Sequence, residues 1–483
     1  MGISQCYSVE NIKTSFNEIY NKLHKDNSPF VKEFLLDCQN VKNNLLNYNN
    51  DNLCNVSKKY KNISNFQTNE TKREIFLKWF EIIHSTIMKN NNLFSIKQKI
   101  EKKLRQLYKK DKKTIIELSK QNIPKSLRSI IWIILSNKIP YERRYIIYNN
   151  LLNTQIDILS EDQINKDINR TFKQPKSNEI IIKLKNILHA FTVISNELGY
   201  CQGMNFIAGL LLEITNYDEV DSFYLFCYIL ENVRGYFMKE FPLFNYHLYI
   251  FEYYFKHFFP KLEKHFQKLE LPLELLVGKW IQTLFIVNLP LDESCRIWDY
   301  LFIYGFDFII PICFSILHYM ENYLLKLNDS SDVMNFLKES LSPKDIEFIN
   351  DNIEKRIIPI DKIIKKGKQY KNMMNKNEIK KLKLEFENKK YINIDNLYNE
   401  SYVNIINNNQ NKSFFIFRKK FEPINFNKIN NLCISANLKT EVCSKNGFEI
   451  DELSDSCDEC YEDNNRKELS NRIIETKFYS IDS

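Results

Sequence analysis

Apolar residues return every three or four positions in several separate stretches of the chain, the mark of amphipathic helices rather than strands. Ile75, Phe76, Trp79, Phe80, Ile82 and Ile83 trace one such face, and a charged helix follows through residues 97–113. Ile181, Leu184, Ile187, Leu188, Phe191 and Ile194 make a continuous stripe of helical period, which predicts a buried helix over 180–196. Segments 206–214 and 223–230 read as core helices. So does the aromatic-rich run 246–259, since aromatics at helical spacing are more often core than a cofactor box. Residues 301–320 are nearly all apolar, about the roughly 20 residues that a membrane span takes. Asp307 and His318 interrupt this run, Pro311 breaks it, and no basic flank orients it. An ionisable group facing lipid is costly, so a pair of buried core helices is the better expectation. Helical patterning continues through 324–363. Residues 8–66 are rich in Asn and Lys with short apolar clusters such as 30–36, and read as loosely packed helices or partly disordered sequence.

Composition agrees with this helical picture. A chain of 483 residues can bury a sizeable core and hold more than one region. With 44% hydrophobic and 27% charged residues, a globular body is expected. Only 9 glycines and 12 prolines are present, and scarce turn residues favour long helices over an all-β fold. The net charge of +8 is concentrated in two Lys-rich stretches, 97–113 and 364–384. They read as solvated helix faces, with contact to an anionic membrane surface left open. No nucleic-acid motif accompanies them, so no nucleic-acid partner is expected.

The 11 cysteines are scattered and no secretory signal is visible, which predicts a reducing cytoplasmic setting. Cys457 and Cys460 form a C-x-x-C, but Cys433 and Cys443 are not a second close pair, so zinc is disfavoured. The final part, acidic around 451–463 and poor in apolar residues, is expected to be a disordered tail. At the other end, Gly2 after Met1 fits an N-myristoylation start, although Cys6 stands where Ser or Thr is usual. Cys6 could itself be palmitoylated, and two such signals would anchor a chain peripherally on an intracellular membrane. An ordinary Met-Gly start is the competing reading.

The densest cluster of special residues is Gly199-Tyr200-Cys201-Gln202-Gly203-Met204-Asn205. Two glycines four apart flank an uncharged Gln between apolar runs, a way to present an amide at a tight surface. Taken alone, a glycine-relieved bend between buried helices would explain it. Some thirty residues upstream, Ile164, Asp167 and Arg170 lie three apart. On a helix such residues are neighbours on one face, so Asp167 can hold the Arg170 guanidinium while its tip stays free. A plain surface ion pair is the bland alternative.

Together the two segments resemble the signature of the TBC domain, the catalytic domain of Rab GTPase-activating proteins. Its motifs I-x-x-D-x-x-R and Y-x-Q are intact as Ile164, Asp167, Arg170 and Tyr200, Gln202. Ile123-Pro124, Leu127-Arg128 and Trp132 are similar to the family's opening, with Asn122 and Ser129 where it usually has Gly. Gly278-Lys279-Trp280, Leu284-Phe285, Leu289-Pro290, Arg296-Ile297-Trp298-Asp299 and Gly305 resemble its later half. There Trp280 and Trp298 are expected in the core, with Arg296 or Asp299 paired within the fold.

The resemblance implies an all-α, multi-helix TBC-type domain with a helical N-terminal extension and a disordered C-terminal tail. The expected divisions are 1–70 for an extension with an acylated start, 71–116 for a helical lead-in, 117–365 for the domain and 366–483 for the tail. It implies a chain that is no enzyme itself but activates a Rab-family GTPase in trans, and so regulates vesicle trafficking. Arg170 would be the arginine finger and Gln202 the glutamine finger, with Asp167 orienting Arg170 and Tyr200 supporting Gln202. Ile164 would anchor the finger helix, and Asn205 would shape the loop. GTP and Mg²⁺ would belong to the partner, leaving this chain with no cofactor or metal of its own. Two alternatives stay open: a Rab-binding scaffold without activity, and a membrane-associated adaptor working through its lipidated N-terminus.

Overall fold

The computed structural model describes residues 9–48, 69–89, 96–136, 139–172, 174–195, 198–338, 359–390 and 392–397. Among them every regular element is a helix. Three come first: α1 (Val9–Leu23), α2 (Pro29–Tyr48) and α3 (Asn69–Met88). A middle set follows: α4 (Ile96–Lys110), α5 (Lys112–Gln121), α6 (Lys125–Ser136), α7 (Tyr141–Leu152), α8 (Ile158–Ile168), α9 (Asn178–Ile194), α10 (Met204–Ile214) and α11 (Glu219–Val233). The later set is α12 (Pro242–Phe258), α13 (Pro260–Lys268), α14 (Leu273–Gln282), α15 (Leu291–Tyr304), α16 (Ile309–Leu324), α17 (Ser330–Lys338), α18 (Ile360–Met373) and α19 (Lys376–Lys390). Local chemistry sets several of the starts. Asp111, Asp157 and Asp218 cap α5, α8 and α11 by accepting from backbone N–H groups one turn on. Proline opens α12 and α13, where its missing N–H costs nothing.

The expected stripe of α9 is the middle of the body. Leu184, Ile187, Leu188, Phe191 and Ile194 are buried, and the helix packs on α7, α8, α10 and α11. It therefore bears on both of the segments that the motifs single out. In the later half, Asp299 of α15 is a buried hub. It accepts from Trp132 Nε1 at 2.9 Å and Arg128 Nε at 3.2 Å, and pairs with Arg296 at 3.3 Å. Trp298 and Trp280 fill the core as expected. Asn122 adopts extended backbone, φ −173° and ψ 146°, which any residue can take, so nothing there requires the usual Gly.

Three expectations change. First, the N-terminal helices are closely docked rather than loose over 9–48. Phe16, Val31 and Phe34 are buried, and the Asp37 carboxylate accepts from Ser126 N at 3.0 Å and Ser126 Oγ at 2.7 Å. This carboxylate from α2 satisfies the first turn of α6, a favourable place for negative charge. Second, the break in 301–320 is Gly305, at φ 90°, between α15 and α16. Pro311 lies in the first turn of α16, where proline is tolerated. No described helix is long and apolar enough to cross a membrane. Third, the helical body runs past 365. α18 packs on α16 so closely that a Cβ at Gly367 would stand 2.9 Å from Ile312 Cδ1. Glu378 of α19 accepts from Tyr253 and Tyr254 of α12 at 2.6 and 2.8 Å. The segment from 366, expected as tail, is folded as far as Leu397; residues 398–483 lie outside the described residues.

The lysine-rich lead-in is also more than a solvated face. Lys97 reaches Asp218 and Asp221, both at 2.7 Å. Burial alone would depress its pKa, and the two carboxylates outweigh that and hold it above the usual lysine range. Beside it the fully buried Arg144 donates to Glu101, to Asp221 and to the Ile139 carbonyl at 2.7–2.8 Å. This cluster ties α4 to α7 and α11. Replacing Arg144 with Ala would leave Glu101 and Asp221 buried with a cation missing, which typically costs about 3–5 kcal/mol. Chemical denaturation of Arg144→Ala against the parent chain should show a loss of that order.

Candidate functional site

The segment that carries Ile164, Asp167 and Arg170 begins on α8. Ile164 is wholly buried and fixes the helix to the core, and Asp167 is 2% exposed one turn on. The helix ends at Ile168, so Arg170 lies just beyond it rather than on it. A tight turn keeps the three-residue neighbourhood, since Arg170 N donates to the Asp167 carbonyl at 3.2 Å. One guanidinium nitrogen of Arg170 donates to Asp167 Oδ1 at 2.5 Å, and the Arg170 side chain remains 40% exposed.

The second segment crosses the same carboxylate. Tyr200 is buried, and its hydroxyl donates to Asp167 Oδ2 at 2.6 Å. Burial pushes the Tyr200 phenol far above the ordinary tyrosine range, and the neighbouring Asp167 charge pushes the same way. The phenol thus stays a donor. Gly199 and Gly203 have φ of 60° and 99°, the left-handed region that a side chain makes costly. Gly203 caps α10, and its N–H donates to Asn205 Oδ1 at 3.1 Å. Asn205 is buried, and its Nδ2 donates to Thr171 Oγ1 at 3.0 Å and lies 3.4 Å from the Asp167 carbonyl. Thr171 Oγ1 donates in turn to that carbonyl at 3.0 Å. Gln202 is half-buried, between the two glycines, and its side chain makes no hydrogen bond to the described residues.

The structure thus brings Ile164, Asp167, Arg170, Tyr200 and Asn205 together, with Gln202 on the connecting turn. It adds two residues that sequence reasoning missed. Thr171 links the turn after α8 to Asn205. Gly209 of α10 lets that turn approach: a Cβ there would stand 2.6 Å from Thr171 Cγ2 and 3.3 Å from Phe172 Cε1. A lone glycine inside an apolar helical run was the available signal.

Other candidates fall away from this place. Cys201 is half-buried, and burial pushes its thiol up to about 11, away from reactivity at neutral pH. Arg296 and Asp299 serve the interior of the later half. Among the described residues no group of three or more His, Cys, Asp or Glu could hold a metal ion. Gly2, Cys6 and the C-x-x-C of the tail lie outside the described residues.

Residues 125–325 match the family model of the Rab-GTPase-TBC domain. The likeness to the TBC-domain family is carried by this segment, which is under half of the chain. It is 30% identical over 250 residues to GTPase-activating protein GYP5 of Eremothecium gossypii, covering 51% of this chain and 29% of that protein. It is 33% identical over 195 residues to TBC1 domain family member 14 of Rattus norvegicus, covering 39% and 28%. The chain thus spans less than a third of the length of these two curated relatives. Among solved structures it is similar to the Ypt/Rab-GAP domain of Gyp1p, with TM-score 0.47 and 18% identity over 62% of this chain and 98% of that one. A Chlamydomonas flagellar RabGAP TBC domain gives TM-score 0.42 and 21% identity over 56% and 91%.

Within the matched segment two substitutions probe the site's construction. Tyr200→Phe removes a donor from a buried carboxylate, which should cost about 1–3 kcal/mol in urea denaturation. Gly209→Ala should displace the turn at Thr171 and cost about 1–3 kcal/mol through overpacking, whereas Gly278→Ala, where the added Cβ meets nothing nearer than 3.4 Å, should cost less.

Proposed function

We propose that this chain accelerates GTP hydrolysis by a Rab-family small GTPase in trans, with Arg170 and Gln202 as its two fingers, and so acts in vesicle trafficking. The observation that carries the reading is the Asp167 carboxylate. It holds the arginine at one oxygen and the Tyr200 end of the glutamine turn at the other. The family model matched by residues 125–325, a Rab-GTPase-TBC domain, and the description of one relative as a GTPase-activating protein support the same class of partner.

Phosphoryl transfer from GTP to water is governed mostly by positioning and by stabilising charge on the phosphoryl oxygens. Arg170 suits that task because a guanidinium stays charged and offers a planar fork of donors, one of which Asp167 already occupies. Gln202 would orient the attacking water through its amide. Tyr200 and Asn205 position the turn that presents it, and Ile164 holds the finger helix. GTP and Mg²⁺ arrive with the partner. An arginine supplied in trans is worth about 10³ to 10⁵ in rate, or about 4–7 kcal/mol of barrier.

The test is single-turnover GTP hydrolysis by a broad panel of Rab proteins mixed with the whole chain, which is used because its helices are packed from α1 to α19. Acceleration of at least one Rab should fall by about 10³ or more in Arg170→Ala. It should also fall steeply in Gln202→Ala, with both variants folded. Binding without acceleration would replace this reading with that of a Rab-binding scaffold. Membrane attachment through Gly2 and Cys6 is a separate part of the proposal. Incorporation of a myristate analogue into the parent chain, absent in Gly2→Ala, is the expected result.

A further inference from the structure

Lys120, seven residues past the first lysine-rich stretch, meets lysines of the second on one face of the fold. α5 and α18 both pack on α15. Their lysines converge on two tyrosines of its last two turns. Lys368 lies 4.4 Å from the centre of the Tyr300 ring and donates to its hydroxyl at 3.0 Å. Lys371 lies 4.3 Å from the Tyr304 ring centre, and Lys120 lies 5.5 Å from the same ring. The rings of Tyr300 and Tyr304 stack at 5.8 Å, and the Tyr300 hydroxyl donates to the Lys120 carbonyl at 2.5 Å. Three ammonium groups are thereby held around one pair of aromatic faces, a favourable place for cations.

The surrounding carboxylates are mostly spoken for. Glu117 pairs with Lys120 at 2.7 Å. Asp361 pairs with Arg296 at 3.1 Å, and Asp299 with Arg296 and Arg128 at 3.3 and 3.2 Å. Asp307 acts on Lys371 from a distance and stands 3.1 Å from His247. Lys368 and Lys371 form no ion pair among the described residues. Burial lowers the pKa of both; the charges of Arg296 and Lys120 add to this at Lys368, and that of Lys376 at Lys371. Half-buried ammonium groups crowded in this way are stabilised by an incoming anion. Lysine offers a compact charge with three rotatable donors, which suits the dense charge of phosphate.

We infer that Lys120, Lys368 and Lys371, framed by Tyr300 and Tyr304, bind a phosphate-bearing anion, either the phosphorylated inositol headgroup of a membrane lipid or a soluble inositol polyphosphate. None of these residues belongs to the finger segments, so the site stands apart from the proposed activity.

The unacylated 483-residue chain is tested by cosedimentation with phosphatidylcholine vesicles, with and without a phosphoinositide, and by calorimetric titration with inositol hexakisphosphate. Binding to at least one phosphorylated probe is expected. It should weaken about 30-fold in Lys368→Ala/Lys371→Ala, the order expected for removing two lysines from an anionic contact. Lys368→Arg/Lys371→Arg should retain it, and so should Lys102→Ala/Lys109→Ala, whose lysines are exposed on α4. If the first pair does not fold, Lys368→Met/Lys371→Met keeps the alkyl stems over the rings and takes its place. Vesicle binding without the soluble ligand assigns the headgroup of a lipid, and tight binding of the soluble ligand assigns the free anion. Absence of binding to every probe, or equal binding by parent and charge-removed pair, overturns the inference. So would equal weakening by the Lys102/Lys109 pair, which would reduce the effect to overall charge.

Discussion

A carboxylate has two oxygens, and those of Asp167 answer to different parts of the chain. Oδ1 takes the Arg170 guanidinium and Oδ2 takes the Tyr200 hydroxyl, while the carbonyl of the same residue receives Thr171 and Asn205. Burying a charge is costly unless it is paired and hydrogen-bonded. The cost of an unmatched Asp167 therefore falls on any arrangement in which either segment drifts. Two motifs 33 residues apart are held in one geometry by the penalty for separating them.

The same device recurs in the fold. Asp221 receives Arg144 and Lys97, joining α11 to α7 and α4. Asp299 receives Trp132, Arg128 and Arg296, joining α15 to α6. Each hub is a buried carboxylate shared by donors from distant helices. Apolar packing alone holds helices together but tolerates sliding, whereas a shared carboxylate specifies one register. The Asp167 site is the hub that keeps part of its cation in solvent, since Arg170 is 40% exposed where Arg144 is wholly buried. What is structure in the interior becomes presentation at the surface.

Much of this was legible in the sequence. The apolar stripe of α9, the core helices around it and the spacing of Ile164, Asp167 and Arg170 are local periodicities, and local periodicity is what a sequence displays. Pairings across long separations leave no such trace. Asp37 with Ser126 spans 89 residues and Lys97 with Asp218 spans 121, and neither residue type is unusual where it stands. For that reason the N-terminal helices looked loose and Lys97 looked solvated. Lysine richness likewise conceals α18 and α19, yet Ile364, Gly367, Tyr370, Leu382 and Phe386 give each a narrow buried seam. Mean composition hid a face only a few residues wide.

The site also explains why its cation is arginine. Asp167 must be neutralised by something, and under the proposed function the group that does so must still meet a partner. A lysine has a single nitrogen, and holding it against a buried carboxylate would draw that whole head inward. A guanidinium separates its donors over a rigid plane, so one nitrogen can be committed to Asp167 while the others remain directed elsewhere. Gln202 is built on the opposite principle. Tyr200 and Gly203 on either side of it are fixed by hydrogen bonds, and its own amide has no partner among the described residues. One residue is held through part of its head group, the other through its backbone on either side, and both reach solvent with donors to spare.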